Sequence, residues 1–184
     1  ITRTYSVTDD CGNSINVEQT IVINDITPPV FAAPPADVTV ECAADVPAMT
    51  NLGWTDNCDG AGVVAGSDVS NLGSCPEIIT RTWTYTDACG NVASVSQTIT
   101  VDDTTPPTAS DPADINVECA ADVPAPDITV VTDEADNCTA APVVAWVSDV
   151  SDLASCPETI TRTYSVTDDC GNSINVEQTI VIND

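Results

Sequence analysis

Residues 79–103 read ITRTWTYTDACGNVASVSQTITVDD, and residues 160–184 read ITRTYSVTDDCGNSINVEQTIVIND. In the first stretch Ile79, Arg81, Trp83 and Tyr85 alternate with Thr80, Thr82, Thr84 and Thr86. In the second, Ile160, Arg162, Tyr164 and Val166 alternate with Thr161, Thr163, Ser165 and Thr167. Period-two patterning with β-branched residues on the outer face predicts a half-buried strand. An Asp-x-Cys-Gly-Asn turn follows (87–91 and 168–172). A second alternating run then puts Val95, Gln97, Ile99 and Val101 on one face, and Val176, Gln178, Ile180 and Ile182 on its counterpart. Two such runs about a short turn predict a β-hairpin. Frequent Pro and Asn-Asp-Gly turns, with further short β-rich runs, extend this to all-β, immunoglobulin-like sandwiches. No helical periodicity competes.

The chain repeats itself, which sets its organisation. Residues 1–25 are identical to residues 160–184, and residues 79–103 are a diverged copy at offsets of 78 and 81. Thr-Pro-Pro recurs at 27–29 and 105–107, and Pro-Ala-Asp-(Val/Ile)-x-Val-Glu-Cys-Ala-Ala-Asp-Val-Pro at 35–47 and 112–124. The expected domains are the C-terminal hairpin of a truncated repeat (1–25) and two full repeats (26–103 and 104–184). A window of this kind reads as part of a longer array. The leading hairpin could instead complete a neighbouring subunit by strand addition.

Composition removes several function classes. Twenty-nine Asp and Glu stand against three basic residues, for a formal charge of -26. Phosphate neutralisation needs cations, so nucleic acid is excluded as a partner, as are anionic membrane surfaces. No apolar run reaches the roughly 20 residues that span a bilayer, so direct membrane insertion is not expected. With no His, neither a Ser-His-Asp nor a Cys-His catalytic pair can form. No Gly-rich phosphate loop is present. The reading is not an enzyme.

Nine Cys, none in a Cys-x-x-Cys pair, exclude a zinc ribbon and a redox motif. They point to disulfides and hence to a secreted or cell-surface protein. Aromatic residues are 4% of the chain, so each core is small and covalent help is expected. Four Cys per repeat allow three connectivities, and sequence alone does not choose. A sandwich topology suggests Cys42–Cys75, Cys58–Cys89, Cys119–Cys156 and Cys138–Cys170, two bridges within each module. Cys11 would pair with a Cys upstream of the window.

Three further sets of residues are singled out. Arg3, Arg81 and Arg162 occupy one repeat position on the predicted inner face. A partly buried guanidinium needs a bidentate acceptor, for which Glu41 and Glu118 are the candidates. Acidic and amide residues crowd the turns and junctions: Asp25, Asp56, Asn57, Asp59, Asp87, Asn91, Asp102, Asp103, Asp136, Asn137, Asp168, Asp169 and Asn172. Such oxygens suit calcium at module junctions, without EF-hand spacing. The same residues also make turns by hydrogen-bonding their own backbone. Asn137-Cys138-Thr139 fits an N-glycosylation acceptor, and Asp103-Thr104-Thr105 an O-glycosylation sequence with Thr104 as acceptor.

Thr-Pro-Pro, the Val-Glu-Cys block, Thr-Asp-Asn-Cys, Cys-Pro-Glu, Thr-Arg-Thr-Trp and Thr-Asp-Ala-Cys-Gly-Asn together resemble the HYR-like, immunoglobulin-type tandem repeats of large Bacteroidetes surface proteins, gliding-motility adhesins among them. The resemblance covers nearly the whole chain. It implies cell adhesion from an extracellular array whose partners are neighbouring repeats of the same chain or filament. The expected function is a stalk or filament shaft stiffened by disulfides and calcium. The alternative is an adhesive module whose loops bind extracellular polysaccharide, with Trp54 and Trp146 as stacking faces if core packing does not claim them.

Overall fold

The computed structural model describes residues 1–183; residue 184, the last of the second full repeat, lies outside the described residues. The fold is all-β, with three single turns of 3-10 helix as its only helical elements among the described residues. The strands are β1 (Thr2–Thr8), β2 (Ser14–Thr20), β3 (Val30–Phe31), β4 (Val38–Val40), β5 (Leu52–Asp56), β6 (Gly60–Val64) and β7 (Ser67–Ser70). They continue with β8 (Glu77–Thr86), β9 (Val92–Val101), β10 (Ile115–Val117), β11 (Val143–Ser151), β12 (Glu158–Thr167) and β13 (Ser173–Ile182).

Two four-stranded sheets, β4-β9-β8-β7 and β10-β13-β12-β11, carry the two repeats. In each, the sheet's earliest strand in the chain runs parallel to the repeat's last: Val38 sits opposite Ile99, and Ile115 opposite Ile180. Each repeat therefore pins its beginning to its end. A three-stranded sheet, β3-β5-β6, belongs to the first full repeat. In the second repeat the only pairing at the corresponding place among the described residues is a single bridge, Thr108 to Ala135. Gly62 on β6 has a packing reason: a Cβ there would lie 2.7 Å from the Trp54 ring. Trp54 stacks on Tyr85 with ring centroids 3.7 Å apart.

Two compact units form among the described residues: 1–35, 49–67 and 82–96 in one, 36–48, 68–81 and 97–183 in the other. In the second unit Tyr164 and Val166 alternate along β12 beside Val176 on the neighbouring β13, as period two requires, and Val131, just past a 3-10 turn, completes the apolar centre. In the first, Trp83 is fully buried and its Nε1 donates to the Thr50 carbonyl at 2.9 Å.

The disulfides differ from the sequence expectation. None of Cys42–Cys75, Cys58–Cys89, Cys119–Cys156 or Cys138–Cys170 is bonded. The bridges are Cys42–Cys138 and Cys75–Cys170, and each ties one repeat to the next. Cys11, Cys58, Cys89, Cys119 and Cys156 are free thiols. The physical reason is placement: all four bonded sulfurs line one concavity of about 290 Å³ within the second unit. There the first and third Cys of one repeat lie against the second and fourth of the following one. In the chain-entropy model, closing a loop of 96 residues stabilises by about 4.7 kcal/mol, more than a 30-residue loop would.

The arginine pairing is also corrected. Arg81 bonds Asp68 through Nε and Nη2 at 2.8 and 2.9 Å, and Arg162 bonds Asp149 the same way at 2.8 Å each. Each acceptor lies on the adjacent strand, where cross-strand geometry presents both carboxylate oxygens to the guanidinium. Pro47 and Pro124 carbonyls accept further guanidinium protons. Glu41 instead accepts from Thr104 N and from the Thr104 and Thr105 hydroxyls. Arg3 lies on an exposed strand and forms no ion pair among the described residues. Trp54 is core, whereas Trp146 is 48% exposed.

Candidate functional site: two carboxylate clusters beside the half-cystines

The Asp-x-Cys-Gly-Asn turn builds the first part of each cluster. Asp168 Oδ1 accepts the N–H groups of Cys170 and Asn172 at 2.8 Å each, and its Oδ2 accepts Asn172 Nδ2 at 2.9 Å. Asp87 does the same with Cys89 and Asn91. The turn closes only with a left-handed residue, supplied by Gly90 at φ 91° and Gly171 at φ 89°. Burial opposes ionisation of Asp168 and Asp87, but the asparagine side chains and the backbone N–H groups outweigh it. Both carboxyls lie below the ordinary carboxylate range.

The Asp-Asn-Cys loop supplies the second part. Asp56 Oδ1 accepts from Cys58 N at 2.8 Å and Asp59 N at 2.9 Å. Asp136 Oδ1 accepts from Thr139 N at 3.2 Å and its Oδ2 from Asn137 N at 2.8 Å. The third part comes from the segment ahead of Thr-Pro-Pro. Asp25 Oδ1 accepts from Thr27 N and Asp103 Oδ1 from Thr105 N, both at 3.1 Å. Asn91 Nδ2 holds the Asp25 carbonyl at 3.1 Å, and Asn172 Nδ2 holds that of Asp103 at 2.9 Å. Thus each turn asparagine clamps the linker that enters its own repeat.

These pieces converge as Asp25, Asp56 and Asp87 in the first unit and Asp103, Asp136 and Asp168 in the second. In each trio one oxygen per carboxylate lies within 4.8 Å of the others. Burial pushes Asp103 above the ordinary range; the Thr105 N–H opposes this, and the charges of Asp136, Asp168 and Glu41 reinforce it. The remaining acidic and amide residues are not members of the trios. Asp59 accepts from Ala88 N at 2.8 Å, and Asn57 Nδ2 donates to Asp25 Oδ1 at 3.3 Å. Asn137 Nδ2 donates to the Cys138 sulfur. Asp102 and Asp169 stand outside both trios. The Thr104 hydroxyl, named from sequence as a glycosylation acceptor, is engaged by Glu41.

Covalent bridges between successive all-β repeats, with acidic clusters at their entry linkers, define a disulfide-bonded tandem-repeat protein. The profile of the HYR-like domain with 4 cysteines matches residues 30–101 and again 107–182, and the chain belongs to that family. Such repeats are extracellular, adhesion-type modules and are generally non-enzymatic. No curated protein matches the chain. No helix among the described residues is long and apolar enough to cross a membrane.

Proposed function

We propose that this chain is part of the shaft of an extracellular adhesin or surface filament, of the gliding-motility adhesin kind, in which every repeat is bonded to both neighbours. A single observation carries the reading: Cys42–Cys138 and Cys75–Cys170 connect the first and third Cys of one repeat to the second and fourth of the next. Cys119 and Cys156 repeat the positions of Cys42 and Cys75, while Cys58 and Cys89 repeat those of Cys138 and Cys170. The free thiols therefore stand where a following and a preceding repeat would continue the same ladder. Cys11 holds the fourth position and takes a partner in a preceding repeat. Calcium at the repeat junctions is the second brace of this shaft.

Disulfide mapping of unreduced protein tests the proposal. An Asp-specific protease suits it, since three arginines give trypsin few cuts. The expected linked peptides join 42 to 138 and 75 to 170. Peptides joining 42 to 75 or 58 to 89 would refute it. A second reading, polysaccharide binding, draws on the half-exposed Trp146, whose Nε1 donates to Asp149 at 3.0 Å. A glycan array probed with the chain and with Trp146→Ala separates the two, because a pure shaft binds nothing.

A further inference from the structure

The aspartate trios pose a charge problem that the polypeptide does not solve. Three carboxylates sit within 4.8 Å at each place, yet the chain has only three basic side chains. Arg81 and Arg162 are committed to Asp68 and Asp149, and Arg3 lies on an exposed strand. Hydrogen bonds do not complete the trios either. Asp25 is 9% exposed and Asp103 6%, and the Oδ2 atoms of Asp25, Asp103 and Asp56 are buried without any partner. A buried carboxylate oxygen with neither donor nor cation is costly, and it recurs at the equivalent linker aspartates Asp25 and Asp103 of the two repeats.

We infer that each trio is a calcium site: Asp25, Asp56 and Asp87 hold one ion, and Asp103, Asp136 and Asp168 hold a second. The donors are all hard carboxylate oxygens, which suits calcium or magnesium and not a thiol- or imidazole-seeking metal. Calcium takes oxygens at about 2.3–2.6 Å, so two ligands on opposite sides of it stand up to about 5 Å apart, as in these trios. Magnesium, at about 2.0–2.1 Å in strict octahedral geometry, would draw them closer and keep several waters. Backbone order fits too, because the Asp56, Asp87 and Asp168 turns are preformed by their own N–H groups before any ion arrives. Each site gathers the linker aspartate that precedes one repeat with two loop aspartates of that repeat, so the ion fixes how a repeat is entered. Two of these loops carry the half-cystines Cys138 and Cys170 two residues beyond their aspartates, which puts cation and disulfide at one end of the second repeat. The inference deepens the shaft reading, but the tests are separate: peptide mapping decides the bridges, and cation titration decides the sites.

Titrating calcium alone into the chelator-treated, oxidised 184-residue chain by calorimetry, at about 0.15 M monovalent salt, should give two sites per chain. Their dissociation constants should fall in the roughly 0.1–1 mM range of extracellular calcium modules or tighter. Asp56→Asn keeps the turn-making Oδ1, Asp136→Asn keeps the Oδ1 bond from Thr139 N while giving up the Oδ2 bond from Asn137 N, and each should reduce the count from two to one. Asp45→Asn, at an exposed residue outside both trios, should leave two. Circular dichroism and the disulfide map verify that each variant is folded. The wild-type titration stands independently of them. Absence of saturable heat up to about ten times that range would overturn the inference. So would retention of two sites in Asp136→Asn and Asp56→Asn, which would mean diffuse counter-ions, or magnesium binding as tightly as calcium.

Discussion

Residues 1–23 and 160–182 have identical sequences and form hairpins of one register in very different surroundings, with strands of 7 residues in the first and 10 in the second. Thr2–Thr20 and Thr161–Thr179 share one register, and Asp9 closes its turn with Cys11, Asn13 and the Asn13 side chain just as Asp168 does with Cys170 and Asn172. Beyond the turn the likeness ends. Tyr5 is 50% exposed and Tyr164 fully buried. In the two-stranded sheet, Tyr5 Oη donates to Gln19 Oε1 at 3.1 Å. In the four-stranded sheet, Tyr164 Oη accepts from Asp127 N, while Gln178 Nε2 donates to the Ala113 carbonyl at 2.9 Å. Local sequence sets strand, turn and register; β10 and β11 extend the hairpin's sheet, and Ala109, Val130 and Val131 packed against it turn one face into core. The comparison separates what a hairpin encodes by itself from what its neighbours supply.

The largest break should come from Tyr164→Ala, which leaves a cavity beside Val131, Val166 and Val176 and should cost about 3–5 kcal/mol in urea unfolding of the oxidised chain. Tyr5→Ala should change stability by no more than about 0.5 kcal/mol. Next is Arg162→Ala, which leaves Asp149 and the Pro124 carbonyl without their partner. A loss of about 2–4 kcal/mol is expected, below that of a sealed ion pair because Asp149 remains 30% exposed. The matching Arg3→Ala should be near neutral.

Gln178→Ala should cost about 0.5–1.5 kcal/mol by removing the hydrogen bond from its buried amide to the Ala113 carbonyl, whereas Gln19→Ala removes only an exposed contact. The smallest effect is with pH. Hydrogen bonds from Arg162 hold the Asp149 carboxyl below its ordinary value against desolvation, and Arg81 does the same for Asp68. A depressed folded-state pKa gives stability that is present above the ordinary value of about 3.9 and lost as pH falls through the depressed one. Unfolding midpoints should therefore decline below about pH 4, and Arg162→Ala should flatten that decline.

The hairpins were legible because period-two alternation is a local property, visible in Arg81, Trp83, Gln97 and Ile99 without any knowledge of partners. The parallel pairing of Val38 with Ile99 was not, because three residues carry no pattern that names a distant strand. Disulfide pairing failed for a related reason. Repeats with the same Cys at the same places look alike whether a bond stays within a repeat or crosses to the next, and only the concavity shared by Cys42, Cys75, Cys138 and Cys170 distinguishes them. The arginine acceptors were missed because Asp68 and Asp149 lie on edge strands whose register the sequence does not announce. The acidic residues were visible as a crowd. Which six converge depends on the Thr-Pro-Pro linker being clamped by Asn91 and Asn172, a contact across 66 and 69 residues.

The crossed bridges change how the chain would carry tension. Between residues 42 and 170 the backbone runs 128 residues, yet through either sulfur link the covalent path spans only 32 or 33. Pulled to full extension, the unbridged segment would reach about 420–460 Å, and the bridged one about 105–120 Å. Were the same crossing continued at every repeat, a pulled fibre would yield as a short-linked chain of rings, and most of its polypeptide would never feel the load.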